Sequence, residues 1–390
     1  MDSKTPAVLI VCPFFRPNIG GAETHLDDLC EYLTRRGQKV YVITYQPLTT
    51  NVRGPALERS ENLEIRRISW IGLNLFNILE PYPALEIFYL APLLFIHTIK
   101  FMIKKHKEID VIHAHGLNAA FIAAVCRMIF NKRAVVSIHA IYNLTARGFM
   151  RFIIRAVLKR CDHVMCLGEK SRKEFVNIGL EPSRVSIYRQ WVKQGEIFRA
   201  LDKKEARGLL GLHGDFIVLF VGRFIAIKGV RAMIEAAANF PEGVKFVFVG
   251  DGPLRSDVEA AAENSKNIVY AGKKSQMETA LYYAASDVFV IPSQYEEGFA
   301  RVVLEALSCG TPLIAADKGC LREMLDKSVA VLIEPSVSGI AEAIRALIND
   351  KKRLMDMTAN ARPYAEKYFS EKNAETVISK YYENSSYKSP

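Results

Sequence analysis

Cysteine is scarce in this chain, with seven residues in 390, and its spacing is irregular. The nearest pair, Cys161 and Cys166, gives a C-x4-C spacing without a second pair, which is not a zinc-binding pattern. An odd number of cysteines without regular spacing also does not favour a disulfide framework. The sequence therefore predicts a protein of a reducing compartment, the cytoplasm.

Long hydrophobic runs are absent as well. No stretch reaches about 18 uninterrupted apolar residues, so no membrane span is expected. The nearest approach, residues 87–103, is interrupted by Pro92, His97 and Lys100. The apolar run at residues 7–15 is short and leads into a Pro/Gly loop, which predicts a first buried strand and not a signal peptide.

Excess positive charge is confined to the first half. Residues 1–190 hold 26 Lys and Arg against 16 Asp and Glu, whereas residues 191–390 hold 26 of each, so the net charge of +10 belongs to the first half. Two interpretations stay open: a solvated basic face, or a face for an anionic partner such as a membrane or phospholipid. No recognised nucleic-acid motif is present, and no nucleic-acid partner is expected.

What the sequence does contain is a regular alternation of short apolar runs and helical segments. The predicted strands are residues 8–11, 40–44, 63–67, 111–114, 134–138, 163–166, 185–188, 216–221, 244–249, 268–270, 288–291, 313–315 and 329–332. Such alternation predicts crossover units, and hence two successive doubly wound α/β domains with mostly parallel sheets and a break near residues 190–199. Ligands of such sheets bind at the carboxyl ends of the strands.

Two glycine-containing turns follow predicted strands. Gly20 and Gly21 open a helix after the first strand, where free N–H groups favour phosphate, and Glu23 follows them. Alone this pattern equally fits an ordinary strand-to-helix turn. In the second half Gly222 ends a strand beside Arg223, and Lys228 follows five residues later, which suits a diphosphate better than two surface cations.

The most specific pattern is a pair of glutamates eight residues apart, Glu297 and Glu305, in the segment EGFARVVLE. One precedes a predicted helix and the other lies about two turns into it, so both side chains are expected on one side of that helix. Carboxylates hold vicinal sugar hydroxyls well. The alternative for Glu297 is a first-turn charge that stabilises the helix by about 0.3–1 kcal/mol.

These elements, together with the G-D-G-P-L turn at residues 250–254, resemble glycosyltransferase family 4, and the resemblance runs over nearly the whole chain. It implies the GT-B fold, two facing Rossmann-like domains with an active-site cleft between them. It places an acceptor-binding domain at residues 1–192, with a C-terminal helix of about residues 371–385 packed back on it, and a nucleotide-sugar-binding domain at residues 193–370.

The resemblance also implies roles for individual residues. The catalytic residues implied are His139, Glu297, Arg223 and Lys228. The donor-binding residues implied are Gly20, Gly21, Gly222, Arg223, Lys228, Gly298, Phe299, Ala300 and Glu305. His115 and Glu23 are candidates for contact with the sugar or acceptor, and His113 is predicted to be a core residue.

The reaction implied is sugar transfer with retention at the anomeric carbon from a UDP- or GDP-linked sugar, a hexosyltransfer. No protein nucleophile is needed, because the departing diphosphate helps take the acceptor proton while cations stabilise its charge. The chain has no D-x-D sequence. We therefore expect neither a metal nor another cofactor.

Three positions depart from the family pattern. Ala300 and Cys320 stand where the family usually has glycine, and residues 188–193 replace an N-G-V-D hinge. The first two put the geometry around the donor sugar in question. They also keep open a non-catalytic partner or binding protein, and the shared fold leaves a nucleotide-sugar epimerase as a second alternative.

The acceptor is suggested by residues 71–107, a long apolar and aromatic region that runs into Lys100, Lys104, Lys105 and Lys107. Arg147, Arg151, Arg155, Lys159 and Arg160 add a second basic stretch. Apolar and basic residues side by side are typical of a surface that contacts anionic lipid. The prediction is a glycan or lipid-linked acceptor and peripheral contact with the inner face of the cell membrane; the alternative is a buried helix with ordinary surface lysines.

Overall fold

The computed structural model describes residues 5–18, 20–48, 52–79, 83–139 and 148–383. Ile19 of the glycine turn, Arg147 of the second basic stretch and the last residues of the predicted C-terminal helix lie outside these ranges. The chain divides into an N-terminal unit, residues 1–190 with 372–390, and a C-terminal unit, residues 191–371. The sequence predicts this boundary after Val192, two residues further on.

The N-terminal unit contains a sheet of eight described strands in the order β3-β4-β2-β1-β5-β6-β7-β8. The strands are β1 (Val8–Val11), β2 (Val40–Tyr45), β3 (Leu57–Arg59), β4 (Leu63–Ile68), β5 (Val111–His115), β6 (Arg133–Ser137), β7 (His163–Cys166) and β8 (Val185–Ile187). The helices between them are α1 (Gly21–Arg35), α2 (Phe76–Leu79), α3 (Pro83–Lys105), α4 (Leu117–Phe130), α5 (Gly148–Leu158) and α6 (Glu169–Asn177). All pairings are parallel except that of β3 with β4.

The C-terminal unit contains a parallel sheet of six described strands in the order β11-β10-β9-β12-β13-β14. Its strands are β9 (Phe216–Arg223), β10 (Val244–Asp251), β11 (Ile268–Gly272), β12 (Val288–Ile291), β13 (Leu313–Ala316) and β14 (Ala330–Ile333). Its helices are α7 (Lys203–Leu210), α8 (Val230–Ala237), α9 (Arg255–Asn264), α10 (Gln276–Ala285), α11 (Arg301–Ser308), α12 (Gly319–Met324), α13 (Val337–Asn349) and α14 (Lys351–Tyr368).

Continuous apolar strands explain both sheets. All four residues of β1 and of β12 are buried, as expected for central parallel strands that helices cover on both faces. The prediction of two doubly wound α/β units is confirmed. The antiparallel strand β3 was not predicted, because its three residues are at least partly exposed and show no apolar run.

A last helix, α15 (Ala374–Tyr382), belongs to the N-terminal unit although it follows the C-terminal unit in sequence. The hydroxyl of Tyr381 lies 2.7 Å from Nδ1 of His113, whose Nε2 lies 2.8 Å from the hydroxyl of Ser137. His113 is completely buried, so its interpretation as a core residue is confirmed. This side chain connects β5, β6 and α15.

Helix α3 is long and apolar. Within the described chain, one helical segment, Ile87–Glu108, is long and apolar enough to cross a membrane by length and composition, whereas the sequence predicts none. The same helix packs against β2 and α4, and its Leu90 and Leu94 are completely buried. Core helices of soluble proteins meet the same criterion, so length and composition do not make α3 a membrane span.

Tyr45 of β2 is inserted into the hydrogen-bonding ladder of α3. Its hydroxyl donates to the carbonyl of Leu90 at 2.6 Å and accepts from the N–H of Leu94 at 2.9 Å, both in the buried interior. Pro92 lies between these two residues and has no N–H to donate. The Tyr45 hydroxyl thus bridges the two groups that an uninterrupted helix would join directly.

We expect Tyr45→Phe to lower the free energy of unfolding of the N-terminal unit by about 1–3 kcal/mol, because it leaves two buried backbone groups without a partner. Tyr41→Phe, on the same strand, is the matched control: its hydroxyl binds Glu108, whose side chain is 42% exposed, so water can replace it. Urea denaturation, monitored by the fluorescence of Trp70, measures the stability of both variants. Trp70 packs on Tyr45 with ring centroids 5.3 Å apart. Equal midpoint shifts in the two variants would show that the bridge contributes nothing specific.

Candidate functional site

The predicted site residues lie at the carboxyl ends of strands in both units. Those of the N-terminal unit follow β1, β5 and β6, and those of the C-terminal unit follow β9 and β12. These are the strand ends at which parallel α/β sheets bind their ligands.

In the N-terminal unit a cavity of about 170 Å³ is lined by Glu23, His115 and His139. The ends of β1 and β5 and the first turns of α1 and α4 form its other walls. Three of the five residues predicted for this unit therefore share one cavity.

A chain of hydrogen bonds fixes the two histidines. Nε2 of His139 lies 2.9 Å from Nδ1 of His115, and their rings stack at 15°. Nδ1 of His139 lies 3.2 Å from the hydroxyl of Tyr188 and 3.4 Å from the amide nitrogen of Gln190. Because that amide nitrogen donates, Nδ1 accepts, and the proton of a neutral His139 is on Nε2, which donates to His115.

The same chain of bonds leaves one buried donor of this pair without a partner. His115 accepts at Nδ1, so its proton is on Nε2, and this buried atom has no hydrogen-bond partner among the described residues. Burial lowers the pKa of His139 to about 4 and that of His115 far below its usual value. Both rings are therefore neutral near pH 7 and can position a ligand oxygen without bringing a charge.

Glu23 lies in the first turn of α1 and also lines the cavity. Burial raises the pKa of its carboxyl group. A Cβ atom at Gly20 would come within 2.3 Å of Glu23 Oε2, so Gly20 provides room for this carboxylate. The glycine has an extended backbone, with φ of −178°, so space and not backbone strain explains it.

In the C-terminal unit Glu297 is the centre of a buried polar cluster. Its Oε1 accepts from Lys228 Nζ at 2.6 Å and from the Ser293 hydroxyl at 2.5 Å, and its Oε2 accepts from the Tyr295 hydroxyl at 2.6 Å. Glu297 is 3% exposed. The Lys228 ammonium also lies 5.1 Å from the centre of the Tyr295 ring.

Glycines bring the loops of this cluster together. Gly229 has φ of +77°, and a Cβ atom there would lie 2.3 Å from the carbonyl oxygen of Pro292. Gly319, with φ of +53°, packs against the backbone of Glu297 so closely that a Cβ atom would lie 2.8 Å from its carbonyl oxygen. The loops after β9, β12 and β13 therefore converge on Glu297 only with glycine at these positions.

Arg223 and Gly222 end β9 beside the end of β10. Gly222 pairs in register with Gly250, where a Cβ atom would lie 1.9 Å from the Gly222 carbonyl oxygen. Arg223 is exposed, whereas the side chain of Lys228, which donates to Glu297, is only 25% exposed. The two cations predicted to act together thus differ in their surroundings.

Glu305 lies in α11, with partners different from those of Glu297. Its Oε2 accepts from the Tyr283 hydroxyl at 3.2 Å, and its Oε1 lies 3.4 Å from Arg301 Nε. It is 8% exposed. The role of Glu305 on a ribose stays a prediction.

Two of the three departures from the family pattern, Ala300 and Cys320, fit the local backbone. Ala300 has φ of −104°, a conformation open to any residue, and the N–H of Cys320 donates to the carbonyl of Glu297 at 3.1 Å. Neither residue strains the loop that holds Glu297. Of the remaining predicted residues, Gly298 and Phe299 lie in that loop, and Phe299 packs edge-on against Phe369.

Four contacting residues were not predicted as site residues: Ser293, Tyr295, Tyr188 and Gln190. Tyr188 and Gln190 lie within residues 188–193, which the sequence singles out as the altered hinge, and Ser293 and Tyr295 lie shortly before Glu297 in the loop after β12. No local pattern assigns their hydroxyl and amide groups to Glu297 or His139. Within the described ranges, no group of three or more His, Cys, Asp or Glu is placed to hold a metal ion, and independence from metal stays a prediction.

Comparison with known families assigns both units. Residues 19–192 match Glycosyltransferase Family 4, and residues 202–364 match Glycosyl transferases group 1. The resemblance inferred from the sequence motifs is thereby confirmed.

Individual relatives agree with this assignment. TuaC of Bacillus subtilis, a putative teichuronic acid biosynthesis glycosyltransferase, is 31% identical over 256 residues, which cover 63% of this chain and 63% of TuaC. A polypeptide of the human phosphatidylinositol N-acetylglucosaminyltransferase is 23% identical over 98% of this chain and 76% of its own length. The crystal structure of Anabaena HepE in complex with UDP and glucose aligns with a TM-score of 0.74 and 19% identity, over 97% of this chain and all of HepE. The chain therefore belongs to glycosyltransferase family 4 and has the GT-B fold.

Proposed function

We propose that this protein transfers a hexose-type sugar, with retention at the anomeric carbon, from a UDP- or GDP-linked donor to a lipid-linked or membrane-surface glycan. The observation that carries the proposal is the partly buried contact of Lys228 with Glu297 at the strand ends of the C-terminal unit. It holds a cation and a carboxylate side by side, which are the two groups needed for a diphosphate and for sugar hydroxyls.

The donor half of the proposal follows from the hydrogen-bond partners that Lys228 and Glu297 can exchange for a ligand. Lys228 is 25% exposed at its side chain, so a diphosphate oxygen can take the place of Glu297 as its partner. Glu297 keeps Ser293 and Tyr295 as donors and gains a free oxygen lone pair for a sugar hydroxyl. Arg223, exposed at the end of β9, supplies a second cation. The structure of HepE, a complex with UDP and glucose, supports this type of donor.

Chemistry in this proposal relies on charge and position. Cations stabilise the negative charge that grows on the leaving diphosphate, and such preorganised groups contribute about 100- to 1,000-fold in rate. His139 stays neutral at pH 7 because burial lowers its pKa to about 4, so it orients the sugar as a hydrogen-bonding group and is not a cation. The departing phosphate takes up the proton of the acceptor hydroxyl, and no metal takes part.

The acceptor half follows from the surface of the N-terminal unit. Phe88 and Ile103 of α3 and Ile129 of α4 are each more than 60% exposed. Lys100 and Lys104, on α3, line a basic pocket with Arg66 and His97 on the same unit. Apolar side chains beside cations suit peripheral contact with an anionic membrane. One relative's name, phosphatidylinositol N-acetylglucosaminyltransferase, points to the same class of acceptor.

The test is a donor screen by thermal shift with UDP-, GDP- and ADP-sugars, with and without EDTA. A donor at about 100 times its Kd stabilises the folded state by about 2.7 kcal/mol, which raises Tm by several degrees. We expect a shift with one donor that EDTA leaves unchanged and Glu305→Ala abolishes. Glu263→Ala, at an exposed position of α9, is the control.

The screen can also refute the proposal. No shift with any donor, in folded protein, would favour a non-catalytic binding protein of this fold. Turnover of the donor sugar into its epimer without an acceptor would favour the epimerase.

A further inference from the structure

A second cavity of the N-terminal unit is lined by apolar residues in the described part of the chain. It has a volume of about 420 Å³, within the range of small-molecule sites, and lies between α3, α4 and α5. Every described residue that lines it is apolar, among them Ile87, Phe88, Ala91, Leu117, Phe121 and Ile153. Because the cavity opens to the surface, it leaves apolar side chains in contact with water, and contiguous apolar surface of this kind often marks a binding site.

This apolar cavity adjoins the cavity that contains His115 and His139. Ile87 and Leu117 line both. A chamber that contains two neutral histidines and the carboxyl group of Glu23 thus shares two wall side chains with an apolar chamber. A ligand with a polar end and an apolar chain would place its polar end in the His115–His139 cavity and its chain in the apolar cavity.

The mouth of the apolar cavity is exposed. Phe88 is 67% exposed, Phe121 43% and Ile153 37%, although each also lines the cavity. Leaving large apolar side chains in water is unfavourable, so this opening suits a ligand that arrives from an apolar phase.

We infer that the cavity between α3, α4 and α5 binds the hydrocarbon chain of a lipid-linked acceptor, whose reacting end group lies in the His115–His139 cavity. The inference rests on the proposed sugar transfer to such an acceptor, and it adds the place where the lipid is held. The chain enters past Phe88 and Phe121, and Ile87 and Leu117 mark the junction between chain and polar end.

The experiment titrates the full-length protein with octyl, decyl and dodecyl phosphate below their micelle concentrations, by calorimetry, with inorganic phosphate as the head-group control. We expect one site per chain, an affinity that rises about fourfold per added methylene, and a negative heat-capacity change. Inorganic phosphate is expected not to bind at the same concentrations.

Two variants locate the site. Ala91→Trp fills the cavity from within and is expected to weaken dodecyl phosphate at least tenfold. Leu209→Trp, which places the same large side chain at a 68% exposed position of α7 in the C-terminal unit, is expected to leave binding unchanged. Phe121→Ser at the mouth is a second probe in case Ala91→Trp fails to fold, and it is expected to weaken binding about threefold or more.

Two outcomes overturn the inference. One is binding of dodecyl phosphate that neither Ala91→Trp nor Phe121→Ser weakens. The other combines two results: the wild-type protein binds no alkyl phosphate, and these variants lose binding to vesicles of phosphatidylcholine and phosphatidylglycerol. The exposed apolar face would then be a membrane contact only. The donor screen on the wild-type protein separates failure of the lipid site from failure of the proposed function. A thermal shift with a donor but no binding of alkyl phosphate refutes only the lipid site. Binding of alkyl phosphate without a thermal shift for any donor refutes the acceptor role and the proposed function together.

Discussion

Replacing Lys228 by methionine is expected to lower kcat/KM for sugar transfer by about 100- to 1,000-fold. The variant removes a fixed cation beside the place proposed for the leaving diphosphate, while the methionine keeps most of the apolar stem. Glu297 loses one of its three donors but keeps Ser293 and Tyr295. Steady-state kinetics with the donor from the screen measures the effect, and Lys266→Met, at a side chain 81% exposed, is the control.

Stability must be separated from chemistry in this experiment. Glu297 is almost completely buried, so removing its cation also costs stability, up to about 3 kcal/mol since Lys228 is partly exposed. The double variant Lys228→Met/Glu297→Gln leaves no uncompensated charge. We expect it to recover much of the lost melting temperature but none of the activity.

The opposite result is informative too. If the double variant recovers kcat/KM to within about threefold of wild type, the pair serves only the fold of this loop. The proposed role of Lys228 on the diphosphate would then be wrong.

The sheets were predictable because their strands are continuous apolar runs. Predicted and observed strands agree within one or two residues at most ends, for example 244–249 against Val244–Asp251. The two-residue extensions lie at glycine-containing strand ends, for example where β9 and β10 continue pairing through Gly222 and Gly250. Burial on both faces leaves a clear pattern in one sequence, whereas the short exposed strand β3 leaves none.

The chemistry of the site was only partly predictable. Motifs identified Lys228 and Glu297 separately, but their contact joins residues 69 positions apart and depends on the approach of Gly229 to Pro292. The family pattern suggested Lys228 as a free cation for a diphosphate. The structure shows it paired with a carboxylate, a relationship that neither spacing nor residue type encodes.

Acidification is expected to unfold the N-terminal unit before the C-terminal unit. Seven of the eight histidines lie in residues 1–190, and burial lowers the pKa of His113 to about 3 and the pKa values of His139 and His163 to about 4, against about 6.5 in an unfolded chain. Between pH 6.5 and 4 the unfolded state therefore binds protons that the folded state does not. Stability is complete above about pH 6.5 and is lost as pH falls through this range.

The size of the effect follows from the number of groups. Each such histidine contributes a slope of about 1.4 kcal/mol per pH unit near pH 5, so these three give about 4 kcal/mol per pH unit. The C-terminal unit contains one histidine, His213, which is exposed. Carboxylates with lowered pKa values, such as Asp162, lose their stabilising effect only below about pH 4, outside this window.

The two tryptophans make the units separately observable, because Trp70 lies in the N-terminal unit and Trp191 in the C-terminal unit. In single-tryptophan variants, Trp191→Phe and Trp70→Phe, we expect the emission of Trp70 to change at higher pH than that of Trp191. His163→Gln can keep a hydrogen bond to Ser186 but cannot take up a proton, so it should reduce the slope by about 1.4 kcal/mol per pH unit. A transition of Trp191 at the same or higher pH, or an unchanged slope in His163→Gln, would show that buried histidines do not set the acid limit of this protein.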